Sequence, residues 1–155
     1  LINSSAFENR EFIKKAVEKF GSQAIMLGID YKYDNQNNKN KVWTHCGTKK
    51  TDIEPFELSQ IYNDLNVGEI MLNSIDRDGM MTGYDIELTE KVSKAIEIPI
   101  ILWGGAGNFS HLIDAFNKTE VAAVACGSLF HFGDNSPMRA RSYLKNKFIK
   151  QRIIK

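Results

Sequence analysis

Cysteine, proline and surplus charge are all scarce in this sequence. The two cysteines, Cys46 and Cys126, lie far apart and in no paired motif. They are too few for a disulfide framework and are expected as reduced thiols in a cytoplasmic protein. Formal net charge is +1, from 20 basic and 19 acidic residues. No excess of either sign points to nucleic acid or to an anionic membrane surface. Affinity for an anion must therefore come from local geometry. No apolar run reaches transmembrane length, and no signal peptide is visible. No group of His, Cys, Asp and Glu has metal-ligand spacing, so neither a metal nor another cofactor is expected. The three prolines, Pro55, Pro99 and Pro137, are few enough to act as punctuation.

What remains is ordinary globular composition, 43% hydrophobic and 25% charged over 155 residues, which suits one domain. The chain opens on Leu1-Ile2-Asn3-Ser4-Ser5 rather than methionine. That opening reads as the end of a strand and its following loop, so the chain is expected to be a piece of a longer protein.

Two periodicities alternate along it. Phe12, Ile13, Ala16, Val17 and Phe20 have the spacing of an amphipathic helix over 7–20. The apolar run 24–29 follows, ending at Asp30, and such runs suit strands buried on both faces. Residues 33–41 are Asn- and Lys-rich and read as a hairpin tip or exposed loop. Pro55 opens a helix over 55–65, where proline is favoured. Residues 69–74 form the next strand, and 85–96 a helix with Leu88, Val92, Ala95 and Ile96 on one face. Pro99 precedes a strand at 100–103, a helix spans 109–117, a strand spans 121–126, and a last helix begins near Pro137. The charge-rich segment Lys145–Lys155 reads as a solvated helix end. A helix followed by four strand–helix units predicts a parallel α/β sheet with right-handed crossovers. The run 24–30 echoes 69–76, as in a barrel of repeated units. Four units leave two open edges, and a (β/α)8 barrel needs about 250 residues. The expected fold is thus the C-terminal half of such a barrel, as a single domain over 1–155.

The polar candidates all follow strands, on the face where barrels place their sites. Gly104-Gly105-Ala106-Gly107-Asn108 and Gly127-Ser128 let backbone N–H groups approach an anion, and Ser128 adds a hydroxyl. Tight turns alone are the alternative, but two such loops after consecutive strands favour phosphate. Asp30 can be a general acid or base at a strand end, or the cap of its own turn. Asp76-Arg77-Asp78-Gly79 can orient a polyol, or be a turn at Asp78-Gly79 with an Asp76–Arg77 ion pair. Thr44-His45-Cys46-Gly47 offers a thiol beside an imidazole, but adjacent side chains on extended backbone point to opposite faces. His111 and His131 read as structural or surface residues.

These residues together resemble the cyclase subunit of imidazole glycerol phosphate synthase. The resemblance runs over nearly the whole chain. It is carried by Asn3-Ser4, Ile29-Asp30-Tyr31-Lys32, Gly68-Glu69-Ile70, Ser74-Ile75-Asp76-Arg77-Asp78-Gly79, Gly83-Tyr84-Asp85, Ile98-Pro99-Ile100, Gly104-Gly105-Ala106-Gly107 and Ser128-Leu129-Phe130-His131-Phe132. It implies strands 5–8 of the barrel, with Asn3-Ser4 at the end of strand 4. It implies that ammonia from a glutaminase partner attacks a bis-phosphorylated ribonucleotide, giving imidazole glycerol phosphate and aminoimidazole carboxamide ribotide. Asp30 matches the general acid/base, and a second aspartate belongs to strand 1, before Leu1. Asp78, with Gly79, matches a contact to substrate hydroxyls or phosphate. Gly105, Gly127 and Ser128, with Gly104 beside them, match one phosphate site, and Asn3 and Ser4 part of the other. Glu69 matches a charged residue on the glutaminase face. Serine is usual in the family where Trp103 and Cys46 stand, and threonine where Asn73 stands. Leu72-Asn73-Ser74 and Gly127-Ser128-Leu129 look more like a paralogous branch that delivers ammonia to surface-polysaccharide sugars, with Asn73 and Trp103 at the pocket rim as the discriminating residues. A third reading is a non-catalytic half-barrel that assembles with copies of itself.

Overall fold

The computed structural model describes residues 1–147. The part of the expected solvated helix end at 148–155 lies outside these residues. The chain opens with two short helices, α1 (Ser4–Glu8) and α2 (Arg10–Phe20). The single helix expected over 7–20 is interrupted at Asn9, whose backbone leaves helical geometry and whose side chain accepts from Phe12 N–H at 2.9 Å. An asparagine satisfies one of the unpaired donors of a helix start, so it begins a new helix rather than continuing the old one. Residues Ser22–Ala24 form a 3-10 turn, so the first strand, β1, starts later than expected and spans Met26–Asp34.

The hairpin expected at 33–41 is present, with β2 (Lys39–Thr44) antiparallel to the end of β1 and β3 (Lys49–Lys50) antiparallel to β2. Helix α3 (Pro55–Asn63) has its proline in the first turn. Then follow β4 (Glu69–Ser74), α4 (Ile86–Ser93), β5 (Ile100–Trp103), α5 (Phe109–Lys118) and β6 (Ala123–Val124). The short α6 (Ser128–His131) and α7 (Pro137–Asn146) complete the described chain. Strand β6 is two residues long where six were expected, although Ala122 N–H and Ala125 N–H still bond to the carbonyls of Ile100 and Leu102.

The sheet order is β3-β2-β1-β4-β5-β6, with β1, β4, β5 and β6 all parallel. Each parallel strand lies beside its predecessor, the layout of a partial (β/α)8 barrel. Ile2 bridges Leu27 in parallel on the other side of β1, as expected for the end of a preceding strand.

The two faces of the sheet differ sharply. Leu27, Ile29 and Tyr31 of β1, Ile70 and Leu72 of β4, and Ile100 and Leu102 of β5 are essentially fully buried. Side chains alternate faces along a strand, so these all point to the side covered by α3, α4 and α5. The opposite face carries Asp30, Glu69, Met71, Asn73, Ile101 and Trp103, all partly exposed.

Two substitutions test this account by urea unfolding at constant m-value. Leu72→Ala empties a fully buried site and should cost about 2–5 kcal/mol. Asn9→Ala removes only the α2 cap and should cost about 1 kcal/mol.

Candidate active site

The parallel register places Asp30 directly opposite Asn73, and Asn73 opposite Trp103. The antiparallel hairpin sets Trp43 on the other side of Asp30. Trp43, Asp30, Asn73 and Trp103 therefore form one row across four strands, at the C-terminal ends of β4 and β5. Asp30 does not close its strand as expected but lies mid-way along β1, just before its pairing with β4 ends and its pairing with β2 carries it on to Asp34.

Both oxygens of Asp30 are held by amides. Asn3 Nδ2 donates to Oδ2 at 2.7 Å, and Asn73 Nδ2 donates to Oδ1 at 2.9 Å. Asn3 reaches this position because Gly28 has no side chain, and a Cβ there would lie 3.0 Å from Asn3 Nδ2. Two donors on two oxygens suit the ionised, acceptor-only carboxylate. The cradle contains orphans as well. Asn73 Oδ1 and Trp43 Nε1 are buried without a partner among the described residues. Such groups cost about 1–3 kcal/mol each, and proteins concentrate them where something other than folding is served.

The expected turn reading of Asp76–Gly79 holds in part. Residues 75–80 form a turn, with Gly79 in left-handed backbone (φ 80°) and Asp78 exposed at its tip. The proposed Asp76–Arg77 pairing is replaced by other partners. Asp76 Oδ2 accepts from Tyr33 N–H at 2.7 Å, and the Arg77 guanidinium donates to the Gly83 carbonyl at 3.3 Å.

The two small-residue loops sit side by side, because β5 and β6 are neighbours. Gly104 and Gly105 are required by both conformation and space. Their φ angles are 89° and 113°, and a Cβ on Gly104 would lie 2.6 Å from the Ser74 carbonyl. Gly127 is different. Its φ of −107° suits any residue, and open space surrounds its missing side chain. Nothing in the fold requires glycine there, so the space it leaves is available to a ligand. Gly127 and Ser128 line a shallow cleft of about 520 Å³ with Phe130, His131 and Phe132.

Ser4 and Glu69 stand apart from the cradle. Ser4 Oγ accepts from His45 N–H at 2.8 Å, which ties the start of α1 to the hairpin turn. In that turn His45, Cys46 and Gly47 are all left-handed, and Thr44 beside them is buried. Glu69 shares the face of Asn73 but lies four residues back along β4, about 13 Å away at strand spacing.

Three contributors were not legible in the sequence. Asn73 holds Asp30 only through the cross-strand register. His111, read as structural, braces the glycine loop by accepting from Gly107 N–H at Nδ1, 3.1 Å away. Tyr84 is buried, and its hydroxyl reaches the Ala125 carbonyl at 3.0 Å and Cys126 Sγ at 3.3 Å. Burial pushes the Tyr84 phenol well above its ordinary range and raises the Cys126 thiol. Tyr31 is likewise raised by burial, then by Asp85, whose Oδ2 accepts its hydroxyl at 3.1 Å. Among the described residues no cluster of His, Cys, Asp and Glu could hold a metal ion.

Comparison with known proteins places this arrangement. A family model described as histidine biosynthesis protein matches residues 1–136. The chain is 43% identical over 144 residues to the imidazole glycerol phosphate synthase subunit HisF of Bacillus subtilis, covering 93% of this chain and 57% of that protein. It is 39% identical over 152 residues to the subunit of the same name from Chlorobium limicola, covering 98% of this chain and 60% of that protein. The chain thus spans less than two thirds of the length of these relatives.

The glycines separate cleanly in a stability experiment. Gly104→Ala and Gly105→Ala should each cost about 1–3 kcal/mol in denaturant unfolding, from strained backbone and close contact. Gly127→Ala should stay within about 0.5 kcal/mol of the parent. The thiols separate by rate. Cys46 is exposed and should react quickly with a disulfide reagent at mildly alkaline pH. Cys126 should lag behind it, because its raised pKa leaves less thiolate.

Proposed function

The chain belongs to the histidine biosynthesis protein family, and from that premise we propose that it serves as the cyclase subunit of imidazole glycerol phosphate synthase. Ammonia released by a glutaminase subunit attacks the phosphoribulosyl-formimino aminoimidazole carboxamide ribonucleotide. The imidazole ring closes, yielding imidazole glycerol phosphate and aminoimidazole carboxamide ribotide.

The observation that carries this reading is Asp30, gripped at both oxygens by Asn3 and Asn73 at the strand ends. A carboxylate fixed in this way cannot rotate without losing a hydrogen bond. Its remaining lone pairs face the reacting centre, where it takes and returns a proton as general acid/base. The substrate carries a phosphate at each end. Gly104, Gly105, Gly127 and Ser128 take one phosphate, and Asn3 and Ser4 contribute to the other. Gripping both ends suspends the reacting atoms over Asp30, which lowers the entropic part of the barrier. Asp78 and Gly79, at the tip of the exposed turn, contact the substrate between them. Glu69, at the far end of β4, lies on the face toward the glutaminase.

In this reading the chain is one domain, the C-terminal portion of the barrel. The 57% and 60% coverage of the relatives fits a partial barrel. A second aspartate on the first strand then lies outside the chain, which alone is inactive. The setting is the cytoplasm. In keeping with that, no helix among the described residues is long and apolar enough to cross a membrane.

Trp103 and Asn73 favour a second reading. They occupy the row that contains Asp30, where the resemblance leads one to expect serine and threonine. A tryptophan there narrows the mouth, as suits a different ammonia acceptor. That acceptor would be a nucleotide sugar of surface-polysaccharide synthesis.

The test is turnover of the ribonucleotide with ammonium salt by the full-length protein. Asp30→Asn should lower kcat by at least about a hundredfold, the usual worth of a general acid/base, with an unchanged far-UV spectrum. A folded parent protein that leaves the ribonucleotide intact would move the assignment to the sugar-directed reading.

A further inference from the structure

One dipeptide touches both small-residue loops. Gly83 N–H donates to the Gly105 carbonyl at 2.7 Å. The next residue, Tyr84, is only 4% exposed and sends its hydroxyl to the end of β6. There it meets the Ala125 carbonyl at 3.0 Å and Cys126 Sγ at 3.3 Å, across 41 and 42 residues of sequence. A carbonyl only accepts, so the phenol proton goes to Ala125, and the phenol oxygen can accept from the Cys126 thiol. Strand β6 is joined to β5 through two paired residues and the Ala122 and Ala125 N–H groups, and the Tyr84 hydroxyl adds a side-chain tie at its end. The two residues after Cys126 are Gly127 and Ser128.

We propose that Tyr84 is a positioning residue for anion binding: its hydroxyl fixes the end of β6 so that Gly127 and Ser128 face the Gly104–Gly107 loop at the separation a phosphate group requires. Tyr84 itself does not touch the substrate. The inference rests on the assignment of these loops to phosphate made above. Gly83 sets the β5 side of the cradle and Tyr84 the β6 side, so the loop 75–85 acts as the spacer between them. Without the hydroxyl, the Ala125 carbonyl loses its side-chain partner and the strand end is freed to shift. The Asp30 cradle, on β1 and β4, is untouched by that change.

Tyr84→Phe keeps the ring in the core and removes only the oxygen. In the full-length protein, KM for the bis-phosphorylated ribonucleotide should rise about tenfold, the scale of one buried hydrogen bond. The kcat should change by less than about twofold, because the lost interaction concerns binding. Tyr62→Phe is the control. It deletes a fully buried phenol on α3 whose hydroxyl has no partner among the described residues, and should leave KM unchanged. Should Tyr84→Phe not fold, Cys126→Ala removes the thiol contact alone and should raise KM about two- to threefold. An unchanged KM in the folded variant, or an equal rise in Tyr62→Phe, overturns the inference. If the parent protein does not turn over the ribonucleotide, the cyclase reading fails by itself. Calorimetric titration with inorganic phosphate then decides the matter. Binding about tenfold weaker in Tyr84→Phe than in the parent supports the inference, while equal affinity, or no binding to either, overturns it.

Discussion

The parallel register between β1 and β4 is the constraint on which the site depends. Pairing Met26 with Glu69 brings Asp30 level with Asn73 four residues later. Strand side chains alternate with a period of two, so a slip of one residue would turn Asp30 into the helix-covered face and Leu27 out of it. The buried row of Leu27, Ile29, Ile70 and Leu72 makes that slip costly. Packing on one face therefore fixes the row of polar groups on the other. Gly28 completes the arrangement by leaving room for Asn3 beside the same carboxylate.

The two faces divide the work. One is apolar, dry and closed by helices, and supplies the stability. The other keeps a carboxylate, amides and two tryptophans in a row, and includes an indole N–H and an amide oxygen buried without partners among the described residues. Each such group lowers stability where it stands. The loops repeat the division. Gly104 and Gly105 are glycines because their backbone demands it, whereas Gly127 has no conformational reason to be one.

The fold was legible where local signals are strong. Pro55 at a helix start, Pro99 before β5 and the apolar runs at β1 and β4 placed those elements. Boundaries failed where a short-range choice decided them. Asn9 prefers capping a new helix to extending an old one, and the alanines of 121–126 make few ladder contacts at the end of the sheet. In the candidate site, Asp30 and the glycine loops stood out because each closes an apolar run of the sequence, although β1 continues past Asp30 to Asp34. Asn73, His111 and Tyr84 did not. Their roles arise from register or from contacts spanning tens of residues, and no local pattern encodes these. Ser4 is a mixed case. It opens α1, two residues after the bridge of Ile2 to β1, and its hydroxyl is engaged by His45 N–H.

The order of the strands also bears on how the molecule assembles. Each parallel strand joins the one that precedes it in the sequence, from Ile2 on β1 through β4 and β5 to β6. Among the described residues each of these parallel pairings closes over about one strand–helix unit, so their loop-closure entropy is met in modest instalments. Folding can thus proceed in the direction of synthesis, each new strand–helix unit docking on a finished template as it leaves the ribosome. Of the parallel pairings described, that of β6 on β5 is the shortest, and it forms on a template that β1, β4 and β5 have already laid down.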